Sequence, residues 1–119
     1  MTVRRISNAA LEVILGGRTK QAAECVIKFY SNNCHFCREL KNDFAEISDM
    51  FEGVNFFAFN ADEYPFLDKL IDINGVPSIA FVQTGASPYI SVLSDPKDTH
   101  SLTWYHKQDI INFIKKELR

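Results

Sequence analysis

Apolar positions follow two periods along this chain, and each change of period marks a new element. In ISNAALEVIL (6–15), Ile6, Ala10, Val13 and Ile14 fall at helical spacing and Gly16-Gly17 supply a stop. Val3 beside Arg4 suits a short edge strand before that helix. CVIKFY (25–30) is almost continuously apolar, as a central strand covered on both faces would be, with Lys28 its one charge. From Cys34 to Phe51 the period lengthens. Cys37, Leu40, Phe44, Ile47 and Phe51 step by three and four, which predicts one long amphipathic helix ending at Gly53.

VNFFAF (54–59) is a second buried strand, so 25–59 forms a strand–helix–strand unit with a parallel crossover. A shorter helix is expected from Tyr64 to Ile71, with Pro65 in its first turn and Asn74-Gly75 breaking it. SIAFV (78–82) and YISVL (89–93) flank the turn-rich QTGASP and should pair antiparallel. Ile110, Ile111, Phe113, Ile114 and Leu118 give a last helix its apolar face, with Lys115 and Lys116 near the negative end of its dipole. The expected fold class is α/β: one mixed central sheet with helices on both faces.

Composition narrows the function classes. With 119 residues the chain suits a single domain, 1–119, able to bury about two-thirds of its unfolded surface. A net charge of −2 offers no electrostatic case for nucleic acid or an anionic membrane. Near the start, Asn8 and Glu12 interrupt the apolar stretch after Arg4 and Arg5, so a secretory signal is not expected. No window approaches the ~20 apolar residues that span a bilayer. A monomer in the cytoplasm is the expectation. Three cysteines are too few for a disulfide scaffold, and in a reducing compartment a close pair suits catalysis or metal binding.

That pair is in SNNCHFCREL, where Cys34 and Cys37 enclose His35 and Phe36. Alone, the spacing allows a disulfide, half a metal site, or two small core residues. Zinc in a structural site wants four ligands, and no second pair matches; His100 and His106 lie far along the chain. Cys25, on a central strand, is expected to be an inert core thiol.

Over residues 20–118, beyond an N-terminal extension of 1–19, the chain resembles the thioredoxin family. CVIKFYSNNCHFC sets a C-x-x-C directly after a buried strand. FNADEYPFLDKLIDINGVPS runs into a Val-Pro like the family's cis-proline, and TWYHKQDIINFIKKEL is closer to protein disulfide isomerase domains. The resemblance implies a thiol–disulfide oxidoreductase that needs no cofactor. Its partners would be protein disulfide substrates and a reductase or oxidant. Cys34 would attack from the first turn of its helix, where free N–H groups favour a thiolate, and Cys37 would resolve the mixed disulfide. Pro77 would be the cis-proline shaping the substrate site. His35 could tune the pair, or point to solvent.

Two positions depart from the family pattern. Where many members bury an acid beneath the cysteines, this chain has Lys28, and the lysine that often accompanies the acid falls on Ala58. Lys28 either acts on Cys37, as a charge or as a neutral base, or carries its head to solvent or to Glu39 or Asp43. Before the first cysteine, Asn33 stands where tryptophan is usual. The segment SDPKDTHSLTW is also longer than the tight connection of small thioredoxins. These changes keep open an alternative, a thioredoxin-fold protein-binding module in which redox chemistry is secondary.

Overall fold

The computed structural model describes residues 3–118; Met1, Thr2 and Arg119, the ends of the expected domain, lie outside the described residues. The elements run β1 (Val3–Arg5), α1 (Asn8–Leu15), β2 (Glu24–Tyr30), α2 (His35–Ser48), β3 (Asn55–Asn60), β4 (Ser78–Gln83), β5 (Tyr89–Val92) and α3 (Lys107–Glu117). They build one mixed sheet in the order β1-β3-β2-β4-β5. β3 pairs parallel with both β1 and β2, while β4 runs antiparallel to β2 and β5. No helix among the described residues is long and apolar enough to cross a membrane.

The sheet is covered on both faces, which explains the unbroken apolar run of β2. Because strand side chains alternate, Val26 points one way and Cys25, Ile27 and Phe29 the other. Val26, Phe56, Ile79 and Phe81 pack with Leu40, Phe44 and Ile47 of α2 and Ile110, Ile111 and Ile114 of α3. On the opposite face Cys25, Ile27, Phe29, Phe59, Ala80 and Val82 meet Leu11 and Leu15 of α1. The stripe read along α2 is buried from Cys37 to Ile47. Phe51 lies beyond the helix and still packs against the same cluster.

Two expectations are corrected. The helix expected over Tyr64–Ile71 is replaced by two short 3-10 turns, Ala61–Glu63 and Leu67–Lys69. Pro65 disfavours the α conformation in the residue before it, and Tyr64 is extended at φ −140° and ψ 92°. Leu67 and Ile71 are nonetheless buried against the sheet. In α1, Ser7 caps the helix by accepting the Ala10 N–H, so Ile6 lies before it. Leu11 and Leu15 form the buried face, and Val13 is exposed. ALEVIL is so rich in apolar residues that its periodicity does not single out one face; docking against β2 and β3 does.

Truncating Leu11, which is fully buried, should therefore cost about 2–5 kcal/mol as Leu11→Ala. Val13→Ala should stay within about 0.5 kcal/mol. Urea denaturation of the two variants checks the assignment, and a larger loss at Val13 would contradict it.

Candidate functional site

The site forms where β2 ends and α2 begins. Cys34 is the N-cap of α2, in extended conformation at φ −98° and ψ 107°. Its Sγ accepts the backbone N–H of Cys37 at 3.1 Å. A sulfur thus occupies the place usually taken by a serine or aspartate oxygen, satisfying one of the helix's unpaired donors. Cys34 and Cys37 are joined as a disulfide, their Cα atoms 5.2 Å apart. Cys34 is half-buried, whereas Cys37 is 3% exposed on the apolar face of α2.

The loop carrying Cys34 is tied to the end of β3 by a polar network that the sequence reading missed. The Asn32 N–H donates to Asp62 Oδ2 at 2.9 Å, and Asn60 Nδ2 donates to Asn32 Oδ1 at 3.0 Å. Asn60 Oδ1 in turn accepts the Asp62 N–H at 3.0 Å. Asn and Asp residues at a strand end are the available signal, since their short side chains bond neighbouring backbone in turns.

Pro77 is buried immediately before β4, and the Val76–Pro77 peptide is cis. Antiparallel pairing of Phe29 with Ser78 brings Pro77 to the end of the sheet that also carries the cysteine loop. The Ser78 hydroxyl donates to the Gly75 carbonyl, fixing the turn behind it.

Lys28 shares the face of β2 that carries Val26 and is covered by α2. It is 5% exposed, with Nζ 5.4 Å from the Phe44 ring centre and 5.9 Å from that of Tyr30. It forms no ion pair or hydrogen bond among the described residues, so it is not paired with Glu39 or Asp43, and it lines a cavity at the start of α2. Beside it, in register across the sheet, is Ala58. Burial, and secondarily the charge of Lys41, lowers the Lys28 pKa from 10.5 to about 8. Lys28 and Cys37 line one cavity of about 400 Å³.

Trp104 is a further residue that sequence reasoning left unassigned. It adopts φ 68°, a left-handed conformation uncommon for a bulky side chain. Two hydrogen bonds with His100 hold it there, the His100 N–H to the Trp104 carbonyl at 2.9 Å and the reverse at 3.0 Å. Its ring is 5.6 Å from that of Phe36, between the cysteines, and Phe36 is 6.1 Å from the exposed His35. The long connection before α3 thus returns an indole to the helix start, although Asn33 occupies the usual tryptophan position. The length of that connection and its single Trp were the only sequence signals.

The remaining candidates lie apart from the pair. Cys25 is free and buried, and desolvation pushes its thiol up to about 11. His100 and His106 face one another at 5.2 Å between ring centres; His106 Nε2 contacts the Asp98 carbonyl, and His100 Nδ1 accepts the Leu102 N–H. Among the described residues, no three His, Cys, Asp or Glu side chains converge in a manner that could hold a metal.

A sheet of this order, with a cysteine pair at the mouth of α2 and a proline turn leading into β4, defines a thioredoxin-fold protein with a redox-type dithiol. The family model named Thioredoxin matches residues 12–108, and the chain belongs to the thioredoxin family. A thioredoxin of Borreliella burgdorferi is 28% identical over 68 residues, covering 56% of this chain and 58% of that protein. The chain thus spans less than two-thirds of the curated relative it matches. Among solved structures, the fourth thioredoxin domain of ERdj5 superposes with a TM-score of 0.73 at 16% identity, over 98% of this chain and 96% of that one. Malassezia sympodialis thioredoxin gives 0.68 at 19% identity, over 97% and 90%.

The buried lysine has a pH signature. Below about pH 8 Lys28 is charged in both states and its burial penalty is complete. Between about 8 and 10.5 the unfolded chain binds the proton and the folded chain releases it, so stability rises with pH. The full gain is about 3 kcal/mol. Burial raises Cys25 to about 11 and Tyr105 to about 12, and both oppose the gain at high pH. The difference between wild type and Lys28→Met isolates the lysine: Met should be the more stable near pH 7, with the gap closing by pH 10.5. A constant gap in urea titrations across that range would count against the assignment.

Proposed function

We propose that the protein is a thiol–disulfide oxidoreductase acting on protein disulfides. The observation carrying this reading is the Cys34 sulfur capping α2 within bonding reach of the buried Cys37. In the reduced protein the same N–H and the helix dipole favour the Cys34 thiolate. That thiolate attacks one sulfur of a substrate disulfide; the S–S bond breaks, a mixed disulfide forms, and the leaving thiolate takes a proton from water. Cys37, as thiolate, then attacks the Cys34 sulfur. The internal disulfide forms and the second substrate sulfur leaves as a thiol, so two electrons have passed to the substrate. A reductase returns them; run backwards with an oxidant, the same steps make disulfides.

Lys28 takes the place beneath the pair that the family commonly gives to a carboxylate. Its ammonium favours ionisation of Cys37 by Coulomb attraction, and the proton leaves through the shared cavity. Pro77 shapes the substrate groove beside Cys34, and Phe36 with Trp104 supplies an aromatic rim for an extended segment. The reading assigns the chain to a reducing compartment, the cytoplasm, working as a monomer. Its odd third thiol, free and buried in β2, suits that setting.

Dithiothreitol-coupled insulin reduction tests the assignment. Wild type should accelerate precipitation of the insulin B chain, Cys34→Ser should fall to background, and Cys37→Ser should accumulate a mixed disulfide on non-reducing gels. The iodoacetamide rate at Cys34 should titrate below the ordinary thiol value of about 8.5. Unaltered turnover in Cys34→Ser, or two thiols of ordinary reactivity, would overturn the oxidoreductase.

A further inference from the structure

We propose that the cavity behind Cys37 is a binding site for a small phosphate-bearing molecule, a phosphate monoester with a compact apolar body. Three independent features converge on it. Its volume of about 400 Å³ is within the range of small-molecule pockets. Its charged lining is of one sign: Arg5 from β1, Lys28 from β2, and Arg38 and Lys41 from α2, with no carboxylate among the described residues that line it. Lys28 is a buried residue without an ion-pair or hydrogen-bond partner among the described residues; its head lies near the Tyr30 and Phe44 rings and lines the cavity.

The arrangement is costly for an empty pocket and suited to a filled one. A buried ammonium beside a second lysine is destabilising unless an anion neutralises it. Two guanidiniums and two ammoniums offer more donors than a single carboxylate can accept, and planar guanidinium forks match phosphate oxygens. The Tyr30 and Phe44 rings and Ala58 supply apolar wall, which a bare inorganic ion leaves uncovered. Neither Val76 nor Pro77 lines the cavity, so an occupant leaves the Pro77 side of Cys34 open. Its effect on chemistry, which rests on the oxidoreductase reading, is to offset the positive charge that favours the Cys37 thiolate and so slow the resolving step.

Calorimetric titration of the disulfide form with phenyl phosphate and with inorganic phosphate tests the site, at ionic strength held constant with chloride. Phenyl phosphate should bind saturably at one site, and more tightly than inorganic phosphate. Lys28→Met, which keeps an unbranched apolar stem, should weaken binding about tenfold or more, as should Arg5→Gln. Equal affinity for the two probes would keep the phosphate site and assign free phosphate as its occupant. Absence of saturable heat from either probe, or wild-type affinity in Lys28→Met, would overturn the proposal. Titrating the Cys34→Ser/Cys37→Ser double variant separates the two readings: binding there is independent of turnover, and a failed insulin assay leaves it standing. In wild type, phenyl phosphate should prolong the mixed disulfide with substrate.

Discussion

One hydrogen bond, from the Cys37 N–H to the Cys34 sulfur, sets the terms for the rest of the molecule. It exists because α2 starts at His35 with a cysteine as its cap, and α2 starts there because its apolar stripe is locked onto the sheet. Leu40, Phe44 and Ile47 are fully buried against β2, β3 and β4. The Asn32–Asn60–Asp62 network fixes the loop ahead of the cap. Core packing therefore determines where the sulfur meets the open end of the helix, and the helix end determines its chemistry.

The interior behind Cys37 carries a positive charge. Hydrophobic burial of β2 leaves little room for a charge, yet Lys28 is held among Val26, Phe44 and Tyr30 with small Ala58 alongside. The penalty is tolerable for a domain of this size only because both sheet faces are extensively packed. Such a group makes the region behind Cys37 the part of the core most responsive to ions and to pH. Ordinary structural economy would place an aliphatic residue there.

Much of this was legible in the sequence because the strands and α2 carry strong periodicities. The run CVIKFY, the three-and-four stepping from Cys37 and the QTGASP turn each fix an element by local physics. The stretch from Tyr64 to Ile71 was misread since its apolar spacing fits a helix while Pro65 vetoes one turn of it. In α1 an excess of apolar residues hides the buried pair, Leu11 and Leu15, beside which Ile6 and Ile14 are partly buried. At the site, Cys34, Cys37, Pro77 and Lys28 could be singled out by motif and by contrast with the family. Trp104 could not, because its nearness to Phe36 depends on a left-handed residue and a bridge to His100, which no pattern along the chain encodes.

The isolation of Cys25 has a practical side. Buried at 3% exposure, with its proton held more tightly than an ordinary thiol's, it reacts more slowly with electrophiles than the sulfur at the N-terminal end of α2. A fluorophore or spin label carrying a maleimide will therefore mark the reduced dithiol in preference to Cys25, without prior mutagenesis. The native chain is already a site-selective reporter of its own oxidation state.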